Sequence, residues 1–97
     1  MLALRERSGA PVTTIGEALS ELGYAYVLAL RPFRGIALME EGVRLLARGP
    51  ESGFLLRARR KLEAGYRVTG SWRRARAEAA EVTALAERLA AFDQARR

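Results

Sequence analysis

Arginine is the side chain with chemistry to offer in this sequence. Of its 17 basic residues 16 are Arg, Lys61 is the one lysine, and the 97 residues contain neither His nor Cys. Without imidazole or thiolate, zinc sites, disulfides and histidine-based acid–base catalysis fall away. Glu40 and Glu41 are adjacent, and neighbours on a helix point ~100° apart, so they cannot share a proton. A Ser–Lys dyad would have to use Lys61, which stands among Arg57, Arg59 and Arg60 on a solvated face. The glycines are isolated, so no phosphate-cradling loop is expected. These observations predict a protein that is not an enzyme and that takes no metal and no cofactor.

What arginine does offer is bidentate, charge-assisted hydrogen bonding to a carboxylate or a phosphate. Residues 1–50 carry six Arg against five Glu, residues 51–97 carry eleven basic against six acidic residues, and the net charge is +6. Between Arg57 and Arg76 eight basic residues face only Glu63 in opposition. That density suits an acidic peptide or a phosphate backbone, the latter with salt-dependent affinity. Trp72 and Tyr66 lie near it as possible stacking platforms for bases, although no helix-turn-helix spacing accompanies them. An Arg-rich surface also fits a GC-rich genome, or a solvated face that keeps an Ala-rich protein in solution.

Four helices must position these side chains. Thr14-Ile15-Gly16-Glu17 has the form of a capping box, and Ile15, Ala18, Leu19, Leu22 and Tyr26 follow at helical spacing. Pro32 ends that helix and suits the first turn of the next, which predicts helices over 14–30 and 32–48. Gly49-Pro50 reads as a stop, with Gly49 left-handed. Glu51 or Ser52 then caps a helix over 52–69, whose apolar positions Phe54, Leu55, Ala58, Leu62, Gly65, Tyr66 and Thr69 share roughly 120° of arc. Arg57, Arg60, Lys61 and Arg67 lie opposite. Gly70 ends this helix and Ser71 caps the fourth, over 72–92, with Trp72, Ala75, Ala79, Val82, Ala86 and Leu89 on one face. Nothing alternates with period two, so the fold class is all-α.

The helices repeat. Shifted by forty residues, Leu62 falls on Leu22, Tyr66 on Tyr26, Gly70 on Leu30, Trp72 on Pro32, Ala75 on Gly35 and Val82 on Gly42. This order resembles the tetratricopeptide repeat: Leu22-Gly23, Tyr26, Gly35 and Gly42 match its Leu-Gly, aromatic and small positions, and Leu62, Tyr66, Gly70 and Ala75 match them again. The resemblance spans roughly residues 13–92. It implies two antiparallel helix hairpins stacked as a short right-handed α-solenoid, with 1–12 the tail of a preceding helix, 13–50 the first hairpin and 51–97 the second. The period is longer than the usual ~34 residues, and Glu63 and Arg59 replace small and large apolar residues of the family pattern. Long repeats of this kind look like those of bacterial signalling and transcriptional regulators, including the maltose-regulon activator type.

From the repeat pattern, Leu22, Tyr26, Gly35, Gly42, Leu62, Tyr66, Trp72 and Ala75 are expected to pack the hairpins. Gly35 and Gly42 would receive the Tyr26 side, offsetting the ~1 kcal/mol that each glycine costs a helix. The family binds ligands along its first helices, which implies a partner surface of Tyr24, Arg57, Arg60 and Arg67 gripping an acidic peptide. The expected function is a non-enzymatic protein–protein interaction module in a regulatory or signalling protein. Nucleic-acid binding through 57–76 is the alternative. Homodimerisation is the other, because solenoids usually need about three repeats. The longest apolar run, Tyr24 to Leu30, is far short of the ~20 residues of a membrane span, and charge at Arg5 argues against a secretory signal. A cytoplasmic protein without membrane contact is expected.

Overall fold

The computed structural model describes residues 12–96. They form four helices: α1 Val12–Leu28, α2 Pro32–Ala47, α3 Gly53–Val68 and α4 Trp72–Ala95. No strand occurs among the described residues, and none of these helices is long and apolar enough to cross a membrane. The segment expected to be the tail of a preceding helix lies almost wholly outside the described residues; only Val12 is described, as the first residue of α1. The architecture is all-α, α1 pairing with α2 and α3 with α4, and α3 packing against both helices of the first hairpin.

The two hairpin turns are built alike. At the end of α1 the Arg31 N–H donates to the Tyr26 carbonyl at 2.9 Å and the Leu30 N–H to the Val27 carbonyl at 3.1 Å. Forty residues on, the Ser71 N–H donates to the Tyr66 carbonyl at 2.8 Å and the Gly70 N–H to the Arg67 carbonyl at 3.1 Å. This Schellman pattern closes the helix by placing one residue in the left-handed region. Gly70 does so at φ 78° and Leu30 at φ 64°. The conformation is free for glycine and costs leucine ~1–2 kcal/mol. Pro32, with its fixed φ and no N–H to satisfy, then opens α2.

Other helix ends depart from expectation. Thr14 lies inside α1, which already runs at Val12, so the capping-box reading fails. Ser52 caps α3 by accepting the Leu55 N–H at 3.3 Å, but Ser71 makes no side-chain cap. Gly49 does not turn left-handed; α2 ends with Arg48 still in the right-handed helical region.

Four glycines bring the first hairpin together. Gly16 and Gly23 in α1 and Gly35 and Gly42 in α2 are each seven residues apart. Because the helices run antiparallel, Gly23 meets Gly35 and Gly16 meets Gly42. A Cβ on Gly35 would lie 2.5 Å from the Gly23 carbonyl oxygen and 2.8 Å from the Val27 nitrogen, and one on Gly42 would lie 2.7 Å from the Gly16 oxygen. The two backbones therefore touch, and the nearest atoms at Gly35 and Gly42 are those of Gly16, Leu19, Ser20, Gly23 and Val27 rather than the Tyr26 side chain expected there. The corresponding positions of the second hairpin are Leu56, Glu63, Ala75 and Val82, so it has no such seam.

Between the hairpins lies the core. Val27, Met39, Val43 and Leu46 meet Leu55, Ala58, Leu62, Tyr66, Ala75 and Leu85, each large apolar side chain contributing ~1.5–3 kcal/mol by burial. Leu62, Tyr66 and Ala75 thus sit inside. Leu22 and Trp72 do not: they are 49% and 63% exposed. Leu22 falls on the flank of the α1 face formed by Ile15, Leu19, Gly23 and Val27, and Trp72 opens α4 before that helix reaches the core.

Candidate interaction surface

The residues expected to grip a partner do not converge. Arg57 lies 3.0 Å from the Glu17 carboxylate and Lys61 3.6 Å from that of Glu21. Both pairs join positions forty apart, so α1 and α3 lie side by side in repeat register. The Arg57 guanidinium also stands 5.1 Å from the centre of the Phe54 ring. Tyr24 is half-buried and packs against the core. Arg60 and Arg67 lie on the other flank of α3, where they line a shallow hollow with Glu63, Ala64, Val68 and Val82. There Arg67 bonds Glu63 at 2.6 Å.

The basic cluster is partly consumed in the same way. Of its eight residues, Arg57, Arg59, Lys61 and Arg67 pair with carboxylates of this chain. The Arg59–Glu78 pair is the most enclosed, with donor–acceptor distances of 3.1 and 3.2 Å and side chains 20% and 15% exposed. Burial pushes the Glu78 pKa above its usual value, with Arg59 opposing. Half of the charge that would attract phosphate is therefore engaged internally.

A different surface is open. Where the two hairpin turns lie near each other, α2, the end of α3 and the start of α4 enclose a groove of about 440 Å³. Its deeper lining includes Val27, Ile36 and Tyr66, and its mouth carries Leu30, Phe33 and Val68, which are 89%, 91% and 61% exposed. Trp72 is outside this lining and belongs to a shallow hollow that shares Ser71 and Arg74 with the groove. The one carboxylate in the lining, Glu40, accepts the Tyr66 hydroxyl at 2.7 Å. Burial first, and this bond second, push the Tyr66 pKa well above the ordinary tyrosine value. Arg74 lines the groove, and Arg31, Arg34 and Arg73 are neighbours in the chain of Pro32, Phe33 and Arg74. None of these four forms an ion pair among the described residues.

Sequence reasoning missed this groove because it belongs to no single helix face. One signal was available. Leu30 occupies the turn position that the second hairpin gives to Gly70, and Phe33 belongs to neither apolar stripe.

No protein-family model matches the chain, no curated protein matches it, and no solved structure matches it.

Proposed function

We propose that the chain is a non-enzymatic, tetratricopeptide-like interaction module of a bacterial regulatory or signalling protein, and that it holds a protein partner at its turn end. The repeat reading is supported by the shared turn motif and by the two ion pairs at the forty-residue offset. The observation that carries the function is the exposure of Leu30 and Phe33, 89% and 91%, at the mouth of an apolar groove. Apolar surface gathered beside polar residues marks contact sites on soluble proteins, and aromatic and arginine side chains dominate binding energy in such sites.

The nucleic-acid reading is the weaker one, since four of its eight basic residues are already paired. The test is site-specific crosslinking in cells that express the protein. A photoreactive phenylalanine analogue replaces Phe33, and, as control, Ala80 on the exposed side of α4. A discrete polypeptide adduct from position 33 and none from position 80 is expected. Adducts to nucleic acid, or equal yields from both positions, would overturn the reading.

A further inference from the structure

We infer that the groove between α2 and α4 seats an acidic amphipathic helix, and that Leu30 is held in its strained turn position as the anchor for that helix. The inference rests on the interaction reading above and adds the chemistry of the partner.

The first support is conformational. Both turns make the same pair of hydrogen bonds, yet one places Gly70 and the other Leu30 in the left-handed region. Glycine would make the first turn without strain. The leucine side chain returns nothing to the fold, being 89% exposed. Strain of this kind, held by a surrounding structure that makes no use of the side chain, points to a role outside the fold. Leu30 also lines the groove, as Val68 does, so the strained residue and the open surface coincide.

The second support is charge. Elsewhere Arg44, Arg57, Arg59, Arg67 and Arg88 sit on carboxylates of the chain, while Arg48, Arg60 and Arg76 have no such partner among the described residues. Arg74 in the groove lining, and Arg31, Arg34 and Arg73 next to lining residues in the chain, likewise have no such partner among the described residues, and the one carboxylate of the lining, Glu40, is turned to Tyr66. The two segments that carry the groove mouth, residues 30–34 and 71–74, thus hold four arginines and no acid beside their apolar side chains. A helix with leucine or phenylalanine at i, i+3, i+4 and i+7 and Asp or Glu on its flanks complements both features. The groove volume, about 440 Å³, lies within the ~300–1,000 Å³ of ordinary binding clefts.

Trp72, the one tryptophan, belongs to the hollow that shares Ser71 and Arg74 with the groove and serves as the label-free reporter. The whole chain is titrated with a synthetic helical peptide bearing that apolar stripe and Glu at the flanking positions, and with its Lys-for-Glu counterpart. Saturable blue-shifted emission is expected with the acidic peptide, and binding about ten-fold weaker or worse with the basic one. Leu30→Gly is expected to raise the melting temperature and yet to weaken acidic-peptide binding about ten-fold; a merely structural leucine would give the first effect without the second. Phe33→Ser, at a 91% exposed site, leaves the fold intact and weakens binding likewise. Equal affinity for both peptides, or unchanged binding by Leu30→Gly, overturns the proposal. So does preferential binding to phosphatidylserine vesicles, or a dimer that light scattering shows to be lost in Phe33→Ser. A polypeptide adduct from position 33 with no acidic-peptide binding would sink this proposal alone; absence of both would sink the interaction reading with it.

Discussion

Replacing Gly35 by alanine tests the contact on which the first hairpin depends. The added methyl would sit 2.5 Å from the Gly23 carbonyl oxygen, 2.6 Å from a Val27 methyl and 2.8 Å from the Val27 nitrogen. Ordinary contacts begin near ~3.5 Å, so α1 and α2 must part by about 1 Å. Two of the three obstacles are backbone, which cannot rotate away. Overpacking of this kind costs ~1–3 kcal/mol, and a backbone clash belongs at the upper end. Against it stands ~1 kcal/mol of improved helix propensity. The net expectation is a loss of about 2 kcal/mol, or ~8–16 °C in melting temperature for a domain of this size.

Circular dichroism during thermal and urea unfolding reads the effect, with two controls run alongside. A Cβ on Gly53 meets nothing within 4 Å, so Gly53→Ala should be neutral or stabilising by up to ~1 kcal/mol. A Cβ on Gly65 meets the end of the flexible Met39 side chain at 2.5 Å, so Gly65→Ala should fall between the two. Were Gly35→Ala as stable as the parent, the backbone-contact account of the hairpin would be wrong.

Three further outcomes follow from buried polar groups. Ser20 is 2% exposed and its hydroxyl has no hydrogen-bond partner among the described residues, so Ser20→Ala should raise stability by ~1 kcal/mol in urea unfolding. Tyr66→Phe removes the bond to Glu40 and should cost ~1–2 kcal/mol. Because folding raises the Tyr66 pKa, its contribution is fully present below the unfolded value of ~10 and is lost as pH rises beyond it. Tyrosinate absorbance should therefore show Tyr66 ionising only as the fold opens, and alkaline unfolding of Tyr66→Phe should depend less steeply on pH. Arg59→Met should cost ~1–3 kcal/mol by leaving half-buried Glu78 without its partner, whereas Arg59→Met with Glu78→Met should restore or exceed the parental stability; a double variant as unstable as the single one would contradict this.

Local rules made the helix boundaries legible. Pro32 and the Gly70-Ser71 turn each mark a boundary through one residue's backbone chemistry, and they placed the start of α2 and the turn before α4 correctly. Thr14 misled because a capping signature also occurs inside a helix. The glycine seam is only half legible: the spacing of Gly35 and Gly42 stands out, but their partners Gly16 and Gly23 depend on the antiparallel register of α1 against α2. A matching seven-residue spacing on both sides of one turn was the available clue. Burial of Leu62, Tyr66 and Ala75 was expected from periodicity. Exposure of Leu22 and Trp72 was not, since the pattern marks a face without saying how far the neighbouring helix covers it. The ion pairs Arg57–Glu17 and Lys61–Glu21 join different hairpins, and the forty-residue offset becomes a contact rule only when the two are seen side by side.

The flank of α3 that carries Arg60, Glu63 and Arg67 corresponds, forty residues earlier, to Ser20, Gly23 and Val27, all three of them buried in the first hairpin. Another hairpin laid on that flank would have to strip water from the Arg67–Glu63 pair and from the Arg60 guanidinium, the latter at several kcal/mol unless it met a carboxylate. Head-to-tail addition of copies is the geometry that produces open fibres, and the same desolvation would oppose it on this flank. A copy docking there is favoured only if it brings carboxylates to that flank of α3.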